Sequence, residues 1–218
     1  MEVRTDWIPL SASALVIGAM ALVFGALLNP LDPNASVADS LHVVQEAGGR
    51  WMAMAVMYFL SSVGLMLGLP AVLSLFTKRG RHAGYAAAAV LSIGFVGLAG
   101  YSMLMVFFRA LVNYDQVRGR GIDDVIQDNG LAIFLYGWVG CFMLGLLLLG
   151  LALWLARKTS RWVPALFGIY LLLIPVASQL GRFGTVVQTL LLGIAFTAVA
   201  IATVSDDQKR ELARDAAY

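Results

Sequence analysis

Uncharged polar and aromatic side chains are the residues of this chain best suited to bind a ligand. They occur in the central or outer half of several long apolar runs. These residues are Tyr58, Ser62, Tyr101, Ser102, Tyr136 and Gln188. Hydroxyl and amide groups that interrupt apolar segments can line a polar pocket and hydrogen-bond a ligand inside it. In the alternative interpretation, the tyrosines only mark the interface between membrane and water.

Three arginines, Arg50, Arg109 and Arg182, stand at the ends of apolar runs, on the same predicted side as these polar groups. A guanidinium group forms strong, charge-assisted hydrogen bonds with phosphate and carboxylate groups. The three arginines are therefore predicted to contact an anionic group or a lipid headgroup at the rim of the pocket. In the alternative interpretation, each one independently extends its charged end toward the headgroup region.

Acidic residues offer a second kind of chemistry. In a helix over residues 36–47, Asp39, His42 and Glu46 would share one face, where two carboxylates and an imidazole could bind a divalent metal. A later polar segment adds Asp123, Asp124 and Asp128 as further oxygen ligands. The spacing matches no metalloenzyme motif, so we favour a solvated polar face of an interfacial helix and predict no cofactor.

The composition is that of a membrane protein. Of the 218 residues, 60% are hydrophobic and only 13% are charged, which indicates a chain that crosses a membrane several times. The formal charge of +2 gives no reason to expect a nucleic-acid partner. A single cysteine, Cys141, excludes an intrachain disulfide. No Asp, Glu, Lys or His lies near the centre of an apolar run, which argues against an ion-coupled transporter.

Six apolar runs are predicted to cross the membrane. They cover residues 7–28, 51–76, 85–108, 131–156, 162–178 and 183–204. The predicted fold is therefore an all-α, six-helix transmembrane bundle that forms one domain over residues 1–218, with a charged tail at 205–218. Two short interfacial helices are predicted in the polar segments 36–47 and 110–130.

Particular residues within these runs predict local features. Pro70 predicts a kink in the second span, and Gly48 and Gly49 predict the end of the first loop helix. Gly64 and Gly68 on the second span have the spacing that lets a neighbouring helix approach closely. The fourth span repeats small residues in the same way, at Gly137, Cys141 and Gly145. The predicted partners are membrane lipids and, through these faces, another membrane protein or a second copy of the chain.

Two short basic segments set the predicted orientation. They contain Lys78, Arg79, Arg81, Arg157, Lys158 and Arg161. Short loops rich in Lys and Arg stay on the cytoplasmic side of a membrane. The protein is therefore predicted to lie in the cell membrane with both termini in the cytoplasm.

The layout resembles that of uncharacterised bacterial six-helix integral membrane proteins of unknown function. The resemblance rests on the six spans, on the sequence Glu46-Ala-Gly-Gly-Arg50-Trp51 after the first loop, and on the basic turn that follows the second span. It implies a six-helix fold in a bacterial inner membrane and assigns no activity.

Three functions agree with the residues. The leading hypothesis is a protein that binds a lipid or another amphiphile in a polar pocket open to the outer half of the bilayer. The first alternative is an accessory or scaffold subunit of a larger membrane complex. The second is a membrane-embedded enzyme that uses the acidic residues of the outer loops.

Overall fold

The described chain is helical throughout. The computed structural model describes residues 7–31, 37–76, 80–114 and 129–215, and no strand occurs within these ranges. The helices are α1 (Trp7–Leu28), α2 (Val37–Glu46), α3 (Gly48–Ser74), α4 (Arg81–Asn113), α5 (Asn129–Ala156), α6 (Trp162–Leu172), α7 (Ile174–Gln179) and α8 (Gly181–Asp215). The predicted all-α fold class is therefore confirmed.

Five helices, α1, α3, α4, α5 and α8, are long and apolar enough to cross a membrane. Each exposes large apolar side chains on its outer side, for example Ile17, Leu67, Ile93, Leu147 and Ile201. Exposed apolar surface of this extent is typical of protein that faces lipid. The helices therefore indicate a multi-pass membrane protein.

The fifth predicted span, residues 162–178, is not one continuous helix. Leu173 separates α6 from α7, and its N–H donates to the Ile169 carbonyl at 2.9 Å. Pro175 lies in the first turn of α7, where its missing N–H removes no helical bond. Because Pro175 has no N–H, it cannot extend the hydrogen-bond ladder of α6. With 11 residues, α6 alone is too short to cross a bilayer.

Several helix boundaries also differ from the prediction. Gly48 and Gly49 do not end the first loop helix but begin α3, and Ala47 alone separates α2 from α3. At Gly48 the Arg109 side chain packs closely on the backbone, since a Cβ atom would lie 3.0 Å from Arg109 Nε. Helix α4 continues to Asn113, and α8 continues through the predicted tail to Asp215. Most of the second predicted loop helix falls on residues 115–128, outside the described residues.

The membrane-facing helices form a closed ring. In order, α3 contacts α1, α1 contacts α8, α8 contacts α6, α6 contacts α5, α5 contacts α4, and α4 contacts α3. Helix α7 continues from α6 and packs on α8, and α2 packs on α3 and α4. We call the two ends of the ring the Asn29 end, where α1 finishes, and the Gly80 end, where α4 begins.

Helices α1 and α3 approach each other through glycine. A Cβ atom at Gly64 would lie 2.7 Å from the Gly18 Cα, and one at Gly68 would lie 2.6 Å from the Leu15 Cβ. The close approach predicted at Gly64 and Gly68 is present, and the neighbour is α1 of the same chain. On α5, Gly145 packs against Leu91 of α4, whereas Gly137 has open space beside it.

A hydroxyl from α1 bonds to the backbone of α3 next to Pro70. Ser11 Oγ donates to the Leu67 carbonyl at 2.6 Å and accepts from the Ala71 N–H at 3.0 Å. A regular α-helix would pair these two backbone groups with each other. Ser11 therefore satisfies both groups where the proline interrupts α3.

Packed aromatic rings fill the half of the ring toward the Gly80 end. Phe95 meets Phe142 with ring centroids 6.0 Å apart, and Phe167 meets Phe196 at 5.4 Å. No charged side chain is among the buried residues of the described chain. This apolar packing closes the ring on one side, and a cavity lies on the other.

Candidate ligand-binding site

A cavity of about 240 Å³ lies inside the ring, between the aromatic core and the Asn29 end. Helices α1, α3, α4, α5, α6 and α8 all contribute to its lining. Its polar and aromatic residues are Asn29, Trp51, Tyr58, Tyr101, Trp138, Tyr170 and Thr189. We call it the central cavity, and no charged side chain lines it among the described residues.

Glycine residues on neighbouring helices position the aromatic lining. A Cβ atom at Gly25 of α1 would lie 2.6 Å from Tyr58 Cε1, so the tyrosine ring occupies the space that a side chain would fill. Trp138 of α5 lies against Gly97 of α4 in the same way. Tyr101 packs on Trp138, with ring centroids 5.8 Å apart. The aromatic rings around the cavity are therefore held by close helix contacts.

Some polar groups of the lining are already paired within the protein. Trp51 Nε1 donates to the Met105 carbonyl at 2.8 Å, and Thr189 Oγ1 donates to the Thr185 carbonyl at 2.8 Å. In contrast, the hydroxyls of Tyr58, Tyr101 and Tyr170 make no hydrogen bond to any residue that the structure describes. Three phenol groups are therefore left to donate to, or accept from, a bound molecule.

The structure brings together only part of the predicted pocket. Tyr58 and Tyr101 line the central cavity, whereas Tyr136 is 77% exposed and lies in a separate cleft. Ser62 and Ser102 donate to carbonyls of their own helices, at 2.8 and 2.7 Å, and do not reach the cavity. Gln188 is also occupied, because its Nε2 donates to the Tyr170 carbonyl at 3.0 Å and joins α8 to α6.

Two of the three predicted arginines converge, and they do so on the backbone of α1. Arg50 donates to the Leu28 carbonyl at 2.9 Å and to the Leu27 carbonyl at 3.0 Å, and Arg182 donates to the Leu27 carbonyl at 2.7 Å. The last carbonyls of a helix lack partners within it and carry the negative end of its dipole. Arg50 and Arg182 therefore cap α1.

Arg109 lies apart from this cap, with its guanidinium group beside Gly48 at the start of α3. Its Nε atom is buried and has no hydrogen-bond partner in the described ranges. The structure therefore does not show the three arginines gathered around one anion.

The residues of the metal alternative are only partly described. His42 Nδ1 lies 3.4 Å from Glu46 Oε1, and both side chains are largely exposed. The side chain of Asp39 and the residues Asp123, Asp124 and Asp128 lie outside the described part. Within that part, no group of three or more His, Cys, Asp or Glu residues is placed to hold a metal ion. The acidic alternative stays a prediction.

Sequence reasoning missed Asn29, Trp51, Trp138, Tyr170 and Thr189. Tyr170 had a usable signal, because it is the only hydroxyl-bearing residue of α6. Trp138 had a weaker signal, since it lies beside the small residues of α5 that were interpreted only as a packing stripe.

Comparison of the chain with protein-family models, with curated proteins and with solved structures found no match.

Proposed function

We propose that this protein binds an amphiphile with an uncharged polar head in the central cavity. The observation that carries the proposal is a set of three tyrosine hydroxyls that have no hydrogen-bond partner among the described residues, in a cavity that no described charged side chain lines. Such groups pair well with the hydroxyl or carbonyl oxygens of a neutral head. Ligand pockets for whole drug-sized molecules are commonly about 300–1,000 Å³, so the central cavity suits the head of an amphiphile and not all of it.

The position of the arginines argues for a neutral head over an anionic one. Arg50 and Arg182 are bonded to carbonyls at the end of α1, and Arg109 lies beside Gly48. An anion in the central cavity would lose its hydration without gaining a cationic partner from the described residues, which is unfavourable. We therefore replace the anionic headgroup of the original hypothesis with an uncharged one.

We also propose that the chain crosses the cell membrane six times, with α6 and α7 acting as one crossing. The 11 residues of α6, Leu173 and the 6 residues of α7 make a segment of 18 residues, about 27 Å long if helical throughout. That length is close to the hydrocarbon thickness of about 30 Å. The basic segments at 78–81 and 157–161 support an orientation in which the Gly80 end and both termini face the cytoplasm.

Cysteine labelling tests this orientation. In a protein carrying Cys141→Ala, we expect His42→Cys to react with a membrane-impermeant maleimide added to intact cells. Gln208→Cys, at an exposed site on α8, should react only after the membrane is permeabilised. The opposite pattern would reverse the topology and would place the central cavity toward the cytoplasm.

A binding experiment tests the proposed function with a defined probe. We suggest a 1-monoacylglycerol brominated on its acyl chain, because bromine quenches tryptophan fluorescence at short range. Replacing the exposed Trp7, Trp154 and Trp162 with Phe leaves Trp51 and Trp138, which both line the cavity, as reporters. We call this the reporter protein, and saturable quenching of its fluorescence is the expected result.

Single hydroxyl deletions locate the probe. Tyr58→Phe and Tyr101→Phe should each weaken binding about fivefold, the usual effect of losing one hydrogen bond. Tyr85→Phe is the control, because Tyr85 is half exposed and lies near the Gly80 end.

Arg50→Gln and Arg182→Gln should leave the affinity for 1-monoacylglycerol unchanged. An anionic lipid found by native mass spectrometry, with occupancy reduced in both Arg variants, would contradict the neutral-head proposal.

The accessory-subunit alternative is favoured by one observation. Gly137 and Gly140 of α5 have open space beside them, so a helix of another protein or of a second copy could approach there. A membrane protein that co-purifies in place of an amphiphile would support this function.

A further inference from the structure

A second cavity, of about 400 Å³, lies between α4 and α5 at the Asn29 end. Leu131, Ala132 and Leu135 of α5 form its apolar part, with Tyr136 beside them. We call it the α4–α5 cleft. Phe134, on the same turn of α5, is 63% exposed, so the cleft adjoins surface that is suited to lipid.

Helices α4 and α5 are in close contact up to Trp138, which lines the α4–α5 cleft. A Cβ atom at Gly94 would lie 2.8 Å from the Phe142 Cα, and a Cβ atom at Gly97 would overlap the Trp138 side chain. Farther along α4, no described residue of another helix lies within 4 Å of the place where a Cβ atom of Gly100 would lie. The cleft therefore lies past the last close contact between the two helices.

The cleft and the central cavity share a wall. Tyr101, Trp138 and Val139 line both of them. Trp138 Nε1 is buried at this wall and has no hydrogen-bond partner in the described chain. A buried indole N–H usually finds an acceptor, and leaving it unpaired is unfavourable. The shared wall therefore contains a donor that a ligand oxygen would satisfy.

We propose that the α4–α5 cleft binds the apolar tail of the amphiphile whose head occupies the central cavity, and that Trp138 donates to an oxygen atom at the junction between head and tail. This inference rests on the proposed function. The central cavity is the smaller of the two and contains most of the polar lining groups, the cleft is larger and mainly apolar, and an indole donor lies between them. The arrangement fits a neutral amphiphile with an acyl ester at its head, whose ester group lies at the shared wall beside Trp138.

Chain length tests the tail site. Affinities of the reporter protein are measured for a long-chain brominated 1-monoacylglycerol and, by competition, for 1-butyrylglycerol, which has the same head and ester. In the parent, the long chain should bind more tightly. Ala132→Phe, which fills part of the cleft, should reduce this long-chain preference about tenfold. A tenfold change in affinity corresponds to the free energy of burying roughly two methylene groups. The affinity for 1-butyrylglycerol should not change.

Ala89→Phe is the matched control, because Ala89 is exposed on α4 outside both cavities. If Ala132→Phe keeps the full long-chain preference while the parent binds both probes, the tail site is wrong and the proposed function stands. If the parent binds neither probe, the proposed function fails, and the tail site fails with it.

Trp138→Phe tests the donor, with Trp51 as the remaining reporter. We expect about fivefold weaker binding of 1-monoacylglycerol and unchanged binding of a 1,2-alkanediol of equal length, which has no ester oxygen. A purely structural role of Trp138 would weaken binding of both probes equally, and that result would overturn the assignment of the donor.

Discussion

Replacing Ser11 with alanine is expected to reduce the free energy of unfolding by about 3 kcal/mol, because it leaves the buried Ala71 N–H and the partly buried Leu67 carbonyl without partners. Each unpaired group costs about 1–3 kcal/mol, and water is scarce inside a membrane bundle. Ser11 is only 7% exposed. The Ala71 N–H donates to Ser11 Oγ, and Ala71 is fully buried. The measurement is reversible unfolding of the purified protein in mixed micelles, followed by circular dichroism.

Two further variants separate this role from a general effect of the substitution. Ser13→Ala is the matched control, because Ser13 is exposed and donates only to the Pro9 carbonyl of its own helix. In Pro70→Ala, α3 can pair the Ala71 N–H with the Leu67 carbonyl itself, so Ser11→Ala should cost less in that background. Equal costs in both backgrounds would show that Ser11 does not compensate for the proline.

Gly64→Leu is expected to destabilise the protein by about 3 kcal/mol, at the upper end of the range for overpacking. A Cβ atom there would lie 2.7 Å from the Gly18 Cα and 2.9 Å from the Ala14 carbonyl oxygen. These are backbone atoms, so no side-chain rotation can relieve the contact, and α1 must move away from α3. The thermal unfolding midpoint in detergent should fall accordingly.

Gly140→Leu is the control for this substitution, because no described atom of another helix lies within 4 Å of the Cβ position at Gly140. It should unfold like the parent. If Gly64→Leu also unfolds like the parent, helices α1 and α3 are not packed through their glycines.

The fold was largely predictable because it depends on apolar length. Runs of about 20 apolar residues must pair their backbone groups internally, so the helices follow directly from composition. A close helix contact at Gly64 and Gly68 was also predicted from their helical spacing, but the spacing does not show that the neighbour is α1. The break at Leu173 was not predicted, although Pro175 was visible, because proline is tolerated inside many membrane helices.

The site was less predictable, for two physical reasons. Helices α5 and α6 are apolar on nearly every side, so their patterns do not show that Trp138 and Tyr170 face inward. The arginines were ambiguous for a different reason, since a guanidinium group at a helix end can bind a lipid phosphate or a backbone carbonyl equally well. Only the geometry shows that Arg50 and Arg182 bond to α1.

The closed ring also constrains how the protein is assembled during synthesis. Helix α8 is made after the other five helices of the ring, and it must fit between α6 and α1, where the Val23 side chain packs on Gly193. Before α8 inserts, α1 and α6 each lack one neighbouring helix of the ring. The Ala19 and Val23 surface of α1 is then exposed to lipid. The cavity enclosed by these six helices therefore does not exist until α8 has left the ribosome and inserted.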